Sequence, residues 1–253
     1  MARLQEPNFE KDVVYLFQFA GNDNVSSLSP YCVKVEAFCR VHNLKFERRN
    51  TTARGSNGLL PFIELNGAQI SDSQLILNKL TEHFQLKNYA DAHEEGLGYA
   101  LERTIENHTM HLIRFDMSRV LPQFIRVMIG ATCPGCLLPA VACIGGWFMR
   151  RKMHGVVRTT IGAFSDAEYD DMLKSDLLQL QNVLGDKQFI MGSTPSKVDC
   201  TALAHIGYAY YIMPQARSRI HELLESKELS SFKEYMDRVV ATAFPDGFND
   251  NKK

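Results

Sequence analysis

Hydrophobic positions in the first third of the chain fall in short runs, whereas those of the remainder recur at spacings of three and four. Residues 13–19, VVYLFQF, form an almost continuous apolar run rich in β-branched and aromatic side chains, the pattern of a strand covered on both faces. We expect it to be the central strand. The loop-forming GNDNVSSLS follows, and Pro30 after Ser29 opens a helix with Val33, Ala37 and Val41 on one face. Residues 46–50 supply a second, parallel strand, and polar, glycine-bearing sequence leads on to Pro61. Residues 62–65 alternate and stop at Asn66-Gly67, the strongest short-range hairpin signal, because both central residues of that turn need a positive φ. A short strand over 69–71, helix-start chemistry at Asp72-Ser73 and an apolar stripe at Ile76, Leu80 and Phe84 complete the order. Strand, helix, strand, hairpin, helix is a thioredoxin-like arrangement.

After Phe84 the charged, turn-like QLKNYADAHEEG suggests a boundary, so the expected domains are 11–88 and an all-helical 96–248. Leu97, Leu101, Ile105, His108, Leu112 and Phe115 make one helical stripe. His108 and His111 have a metal-compatible spacing, but nothing at matching spacing completes a ligand set, so no metal site is expected. Residues 127–149 carry no charge and lie between Arg126 and Arg150, Arg151 and Lys152. Length alone makes the segment a span candidate, but Pro134, Pro139 and its glycines interrupt it. A broken helix pair packed on the core, or a surface touching membrane, is the better expectation. Cys133-Pro134-Gly135-Cys136 has redox spacing without a preceding strand and reads as a kink. Ser165 to Glu168 is a capping box that opens a helix expected to end at Gly185. Ser196 and Asp199 cap the next helix, and Ser231 to Glu234 should cap the last.

Composition narrows the partners. Lys and Arg number 28 against 29 Asp and Glu, so no overall field recruits nucleic acid. Six unevenly placed cysteines suit a reducing compartment better than a disulfide framework. No charged leader followed by an apolar run precedes residue 13, and a cytoplasmic protein, with membrane association through 127–152 left open, is expected.

In a thioredoxin-like fold the chemistry sits where the first helix begins, because free N–H groups there favour an anion. This chain has Ser29-Pro30-Tyr31-Cys32 at that place, with Ser26 and Ser27 slightly earlier. A serine in the leading position argues against dithiol redox chemistry, and Cys32, one turn in, is more often a buried small residue than a nucleophile. It stays the second candidate after Ser29. Leu60-Pro61, the hairpin and Asp72-Ser73 resemble the cis-proline and glutathione-binding segment of glutathione transferases. The resemblance implies that the backbone at Leu60 and Pro61 pairs with the cysteinyl part of glutathione. It also implies that Asp72 and Ser73 hold the γ-glutamyl end and that Ser29 hydrogen-bonds the thiolate. Residues 13–86 and 155–212 together resemble the failed axon connections and metaxin-like branch, including cadmium-responsive nematode proteins. Two functions follow from that resemblance. One is a serine-type glutathione transferase that joins glutathione, as substrate, to a small electrophile in detoxification or stress response. The other is a non-catalytic interaction protein that docks a membrane or protein partner through 127–152. A homodimer is compatible with either.

Overall fold

The computed structural model describes residues 4–129 and 137–248. Strand β1, Val14–Gln18, is buried along its whole length and pairs in parallel with β2, Phe46–Asn50, across helix α1, Pro30–Val41. Strand β3, Phe62–Leu65, runs antiparallel to β1 on the other side and turns at Asn66-Gly67 into β4, Ala68–Ser71. Asn66 and Gly67 both have positive φ, at 49° and 78°, as their turn requires. The sheet order is β2-β1-β3-β4, and helix α2, Ser73–His83, completes the thioredoxin-like half. β1 is apolar on successive positions because it is covered twice. Val14 and Leu16 face the main core, while Val13, Tyr15 and Phe17 face a smaller cluster containing Cys32, Leu60 and Phe62.

Beyond α2 the described residues form helices and their connections, with one isolated bridge between Phe189 and Gly192. Helix α3, Ala92–Thr104, runs through a π-helical turn at Ile105–Thr109 into α4, Met110–Met117. A 3-10 turn then leads to α5, Leu121–Ile129. The expected stripe is displaced at its start. Leu97 is exposed and Gly98 and Glu102 are buried, because the Tyr89 ring occupies the space a Cβ on Gly98 would take. From Ile105 onward Leu112 and Phe115 are buried as expected, whereas His108 stays half-exposed and reaches Asp176 at 2.8 Å.

Helices α6, Leu138–Thr160, and α7, Asp166–Leu184, follow; α7 carries the expected capping box and ends at Gly185 with φ of 53°. Helix α8, Lys197–Ala202, passes through a second π-helical turn, Leu203–Gly207, into α9, Tyr208–Tyr211. Asp199 is fully buried and takes four donors: the Ile190 and Ser196 amides and the Ser196 and Tyr235 hydroxyls, all within 2.9 Å. Helix α10 is Arg219–Leu224. The last helix, α11, Ser230–Ala243, begins one residue before the expected Ser231 cap, since a 3-10 turn over Lys227–Leu229 runs straight into it. Ser231 instead donates to Gln181 on α7. The Cys133 to Cys136 motif lies outside the described residues. No helix among those described is long and apolar enough to cross a membrane.

Candidate functional site

Register gathers the predicted residues at one end of the sheet. Phe17 near the end of β1 pairs with Phe62 at the start of β3, and Phe62 pairs with Ser71 at the end of β4. With neighbouring strands about 5 Å apart, the loop to Ser29, the Leu60-Pro61 peptide before β3 and the Asp72-Ser73 pair after β4 all emerge on that side. The Leu60-Pro61 bond is cis.

Tight loop geometry delivers Ser29. A Cβ on Gly21 would come within 2.1 Å of the Val25 carbonyl oxygen, so only glycine lets the loop close there. The Ser27 hydroxyl donates to the Phe19 carbonyl at 2.8 Å and accepts from the Ser29 amide. Ser29 is half-buried and extended at the N-cap of α1, and its hydroxyl makes no capping bond to its own helix. The Ser26 hydroxyl is buried without a partner among the described residues. Cys32 is fully buried beside Ser27 and Ser29. Burial pushes its thiol pKa up, against the Phe19 backbone and the two serine hydroxyls that pull the other way.

Asp72 is held at φ of 83°, a region that costs a non-glycine residue about 1 to 3 kcal/mol. Its Oδ1 accepts from the Gln74 and Leu75 amides at 2.9 and 3.1 Å, so two of the helix-start donors serve the protein's own carboxylate. Ser73, the first residue of α2, is 6% exposed. On the helical side of Ser29 lies an apolar cavity of about 120 Å³, bounded among others by Leu28, Pro30, Arg114, Phe124, Met153 and Tyr208. Tyr31 packs edge-on against His205 and accepts from Arg114 at 3.1 Å.

Behind these residues is a buried polar junction that sequence reasoning missed. Lys34 on α1 is fully buried. Its Nζ donates to Gln74 Oε1 at 2.7 Å and Glu106 Oε1 at 2.6 Å, and lies 4.0 Å from Glu102. Arg103 donates to the same Gln74 oxygen and pairs with Glu106 at 2.5 Å. Glu106 comes from the first π-helical turn and His205 from the second, with 3.7 Å between them. Burial pushes the Glu106 carboxyl up, but His205 and Lys34 more than offset it and hold it at about 2. Burial keeps His205 below its ordinary value. Gln74 follows Ser73 directly, so the junction braces the start of α2 against the helical half.

A thioredoxin-like sheet with a cis-proline, an acidic-serine helix start and a following all-helical half defines the glutathione transferase fold. Matches to known families agree. Residues 30–120 match the glutathione S-transferase N-terminal domain, and residues 173–239 match the glutathione S-transferase C-terminal domain. The chain belongs to the glutathione S-transferase superfamily. Within it, the chain is 30% identical to Failed axon connections of Drosophila melanogaster over 260 residues, which is 96% of this chain and 61% of that protein. The chain thus spans under two thirds of that relative's length. Among solved structures it resembles transferase GSTFuA3 of Phanerochaete chrysosporium, at a TM-score of 0.61 and 13% identity over 92% of this chain and 98% of that one. It also resembles a Methylobacterium radiotolerans transferase complexed with glutathione sulfonate, at 0.59 and 16% over 94% and 95%. At these identities the likeness concerns the fold.

Proposed function

We propose that this protein binds glutathione at the end of the sheet and joins it to a small apolar electrophile. The single observation that carries the reading is the register, which brings the Ser29 loop, Leu60-Pro61 and Asp72-Ser73 to one edge beside an apolar cavity. Glutathione lies along Leu60 and Pro61, its γ-glutamyl end at Ser73 and the free side of Asp72. Its sulfur points to the start of α1, where the Ser29 hydroxyl, which makes no capping bond, and the helix N-terminus favour a thiolate. The thiol proton leaves to solvent, sulfur forms a bond to the electrophilic carbon, and the leaving group departs with its electron pair. Cys32 serves packing in this reading, since burial favours its neutral thiol. The domain division at 11–88 and 96–248 belongs to the same proposal.

Titration calorimetry with reduced glutathione tests it. Measurable binding is expected, and Ser73→Ala should weaken it by about 1 to 3 kcal/mol through loss of a donor to a charged group. Unchanged affinity in that variant removes the site assignment. The alternative, an interaction protein without conjugating activity, draws support from Asp72 Oδ1 being committed to its own helix. Binding with no turnover across a broad electrophile panel would favour it.

A further inference from the structure

Between Asp116 and Asp166 the chain has no carboxylate side chain, yet it holds Arg119, Arg126, Arg150, Arg151, Lys152 and Arg158. In a chain whose formal net charge is −1, that is a local concentration of positive charge. Arg119 is spent on Asp116, Asp166 and Asp170. The other five form no ion pair among the described residues. The field reaches their neighbour: burial, then Arg150 and Arg158, hold the His154 ring below its ordinary pKa.

Helix α6 carries most of this charge and keeps most of its side chains in solvent. Of its 23 residues only Ala142, Gly146 and Val157 are buried. Gly146 rests on Ile125 and Pro122 of α5, and further along His154 meets Ser118 at 2.8 Å and Val157 joins the main core, so the helix is held along one side. Leu137, Val141, Ile144 and Phe148 recur at the four-three-four spacing of an amphipathic stripe, and they face solvent, Ile144 and Phe148 at 63% exposure. Trp147 is 61% exposed beside them. The cations follow within the next turns, and Trp147, Arg150, Arg151, His154 and Arg158 share a shallow depression of about 520 Å³. The helix is therefore divided along its axis, apolar and aromatic first, cationic after.

We propose that α6 docks peripherally on an anionic lipid bilayer. Its Ile144, Trp147 and Phe148 side chains enter the interface, and Arg150, Arg151, Lys152 and Arg158 lie at the headgroups. The axial division is what selects this occupant, because hydrocarbon and anionic headgroups are layered in the same way. Nucleic acid would answer the cations but leave the aliphatic stripe in water. A second copy would set cations against cations if it ran parallel and against the apolar half if it ran antiparallel with full overlap, with no carboxylate in the segment to answer them in either case. The helix enters inclined, its apolar N-terminal half deeper than its cationic half, and does not span the bilayer. This inference does not rest on the glutathione reading and stands or falls separately.

Trp147 is the only tryptophan in the chain, so its emission reports directly on docking. The full chain is titrated with vesicles of phosphatidylcholine alone and of phosphatidylcholine mixed with phosphatidylserine. Expected is a blue shift with the mixed vesicles only, quenching by brominated acyl chains, and reversal by salt. Each cation removed should weaken binding about fivefold, and the charge reversal Arg150→Glu/Arg151→Glu/Lys152→Glu by more than about a hundredfold. These side chains are exposed, so the fold should persist, with circular dichroism as the check. Ile144→Ser/Phe148→Ser should lose the quenching. Absence of any shift, an equal shift on neutral vesicles, or emission that is already blue and reddens on dilution, as a self-associated α6 would give, overturns the proposal.

Discussion

Replacing Lys34 with Met removes one charge from the buried junction while keeping most of the apolar stem. In the native chain Lys34 Nζ lies 2.6 Å from Glu106 and 2.7 Å from Gln74, with no exposed surface. Glu106 titrates at about 2 in the folded protein against 4.5 for a free carboxyl. The difference corresponds to about 3 kcal/mol of stability. Because the folded value is depressed, that stability is present above pH 4.5 and is lost as pH falls toward 2. Without Lys34, Arg103 still pairs with Glu106, but Glu102 and Glu106 are left short of positive charge in a buried place. We expect Lys34→Met to cost about 3 to 5 kcal/mol at neutral pH, as for one member of a buried pair. The deficit should narrow as pH falls below 4.5 and Glu106 protonates more readily in the variant. Urea unfolding followed by far-ultraviolet circular dichroism at neutral and acid pH measures both. Adding Glu106→Gln to Lys34→Met should recover part of the loss. A cost under about 1 kcal/mol, or a deficit that does not change with pH, would refute the electrostatic account of the junction.

Two further substitutions divide roles at the start of α1. Ser29→Ala should lower conjugating activity while Cys32→Ser leaves most of it, in an assay with a chromogenic electrophile; the reverse result assigns the chemistry to Cys32. Asp199→Ala should lower stability by about 4 kcal/mol or more, because four buried donors lose one acceptor. A urea midpoint within the error of the parent would show those bonds to be dispensable.

Local chemistry made much of this fold legible. Asn66-Gly67 could be read because few residues tolerate their φ values, Pro30 because its missing donor suits a first helical turn, and Ser165 and Asp199 because capping demands particular side chains at fixed spacing. The junction was hidden for the opposite reason. A lysine in a helix reads as a solvated position, and the partners that bury Lys34 lie 40 and 72 residues away. Its trace was a cation between Val33 and Val35, on a helix whose other charges are Glu36 and Arg40. The π-helical turns were equally silent, since each displaces the helical period by one residue and so blurs the stripe that would have announced it. At the candidate site, residue types were readable. Which hydroxyl is spoken for was not: Ser27 is tied to Phe19, Ser29 makes no cap bond, and both facts depend on how the loop closes at Gly21.

The apolar cavity beside Ser29 takes Phe124 from α5 and Met153 from α6 among its walls. Two events that look remote are thereby made neighbours. A molecule filling the cavity presses on the inner side of the helix whose outer side carries Ile144 and Trp147. By reciprocity, any change that filling the cavity makes in how tightly α6 is held from outside is returned by the same factor in the affinity of the cavity. The helix then acts as a shared partition, and a compound that dissolves in lipid would meet the protein at the partition's own face.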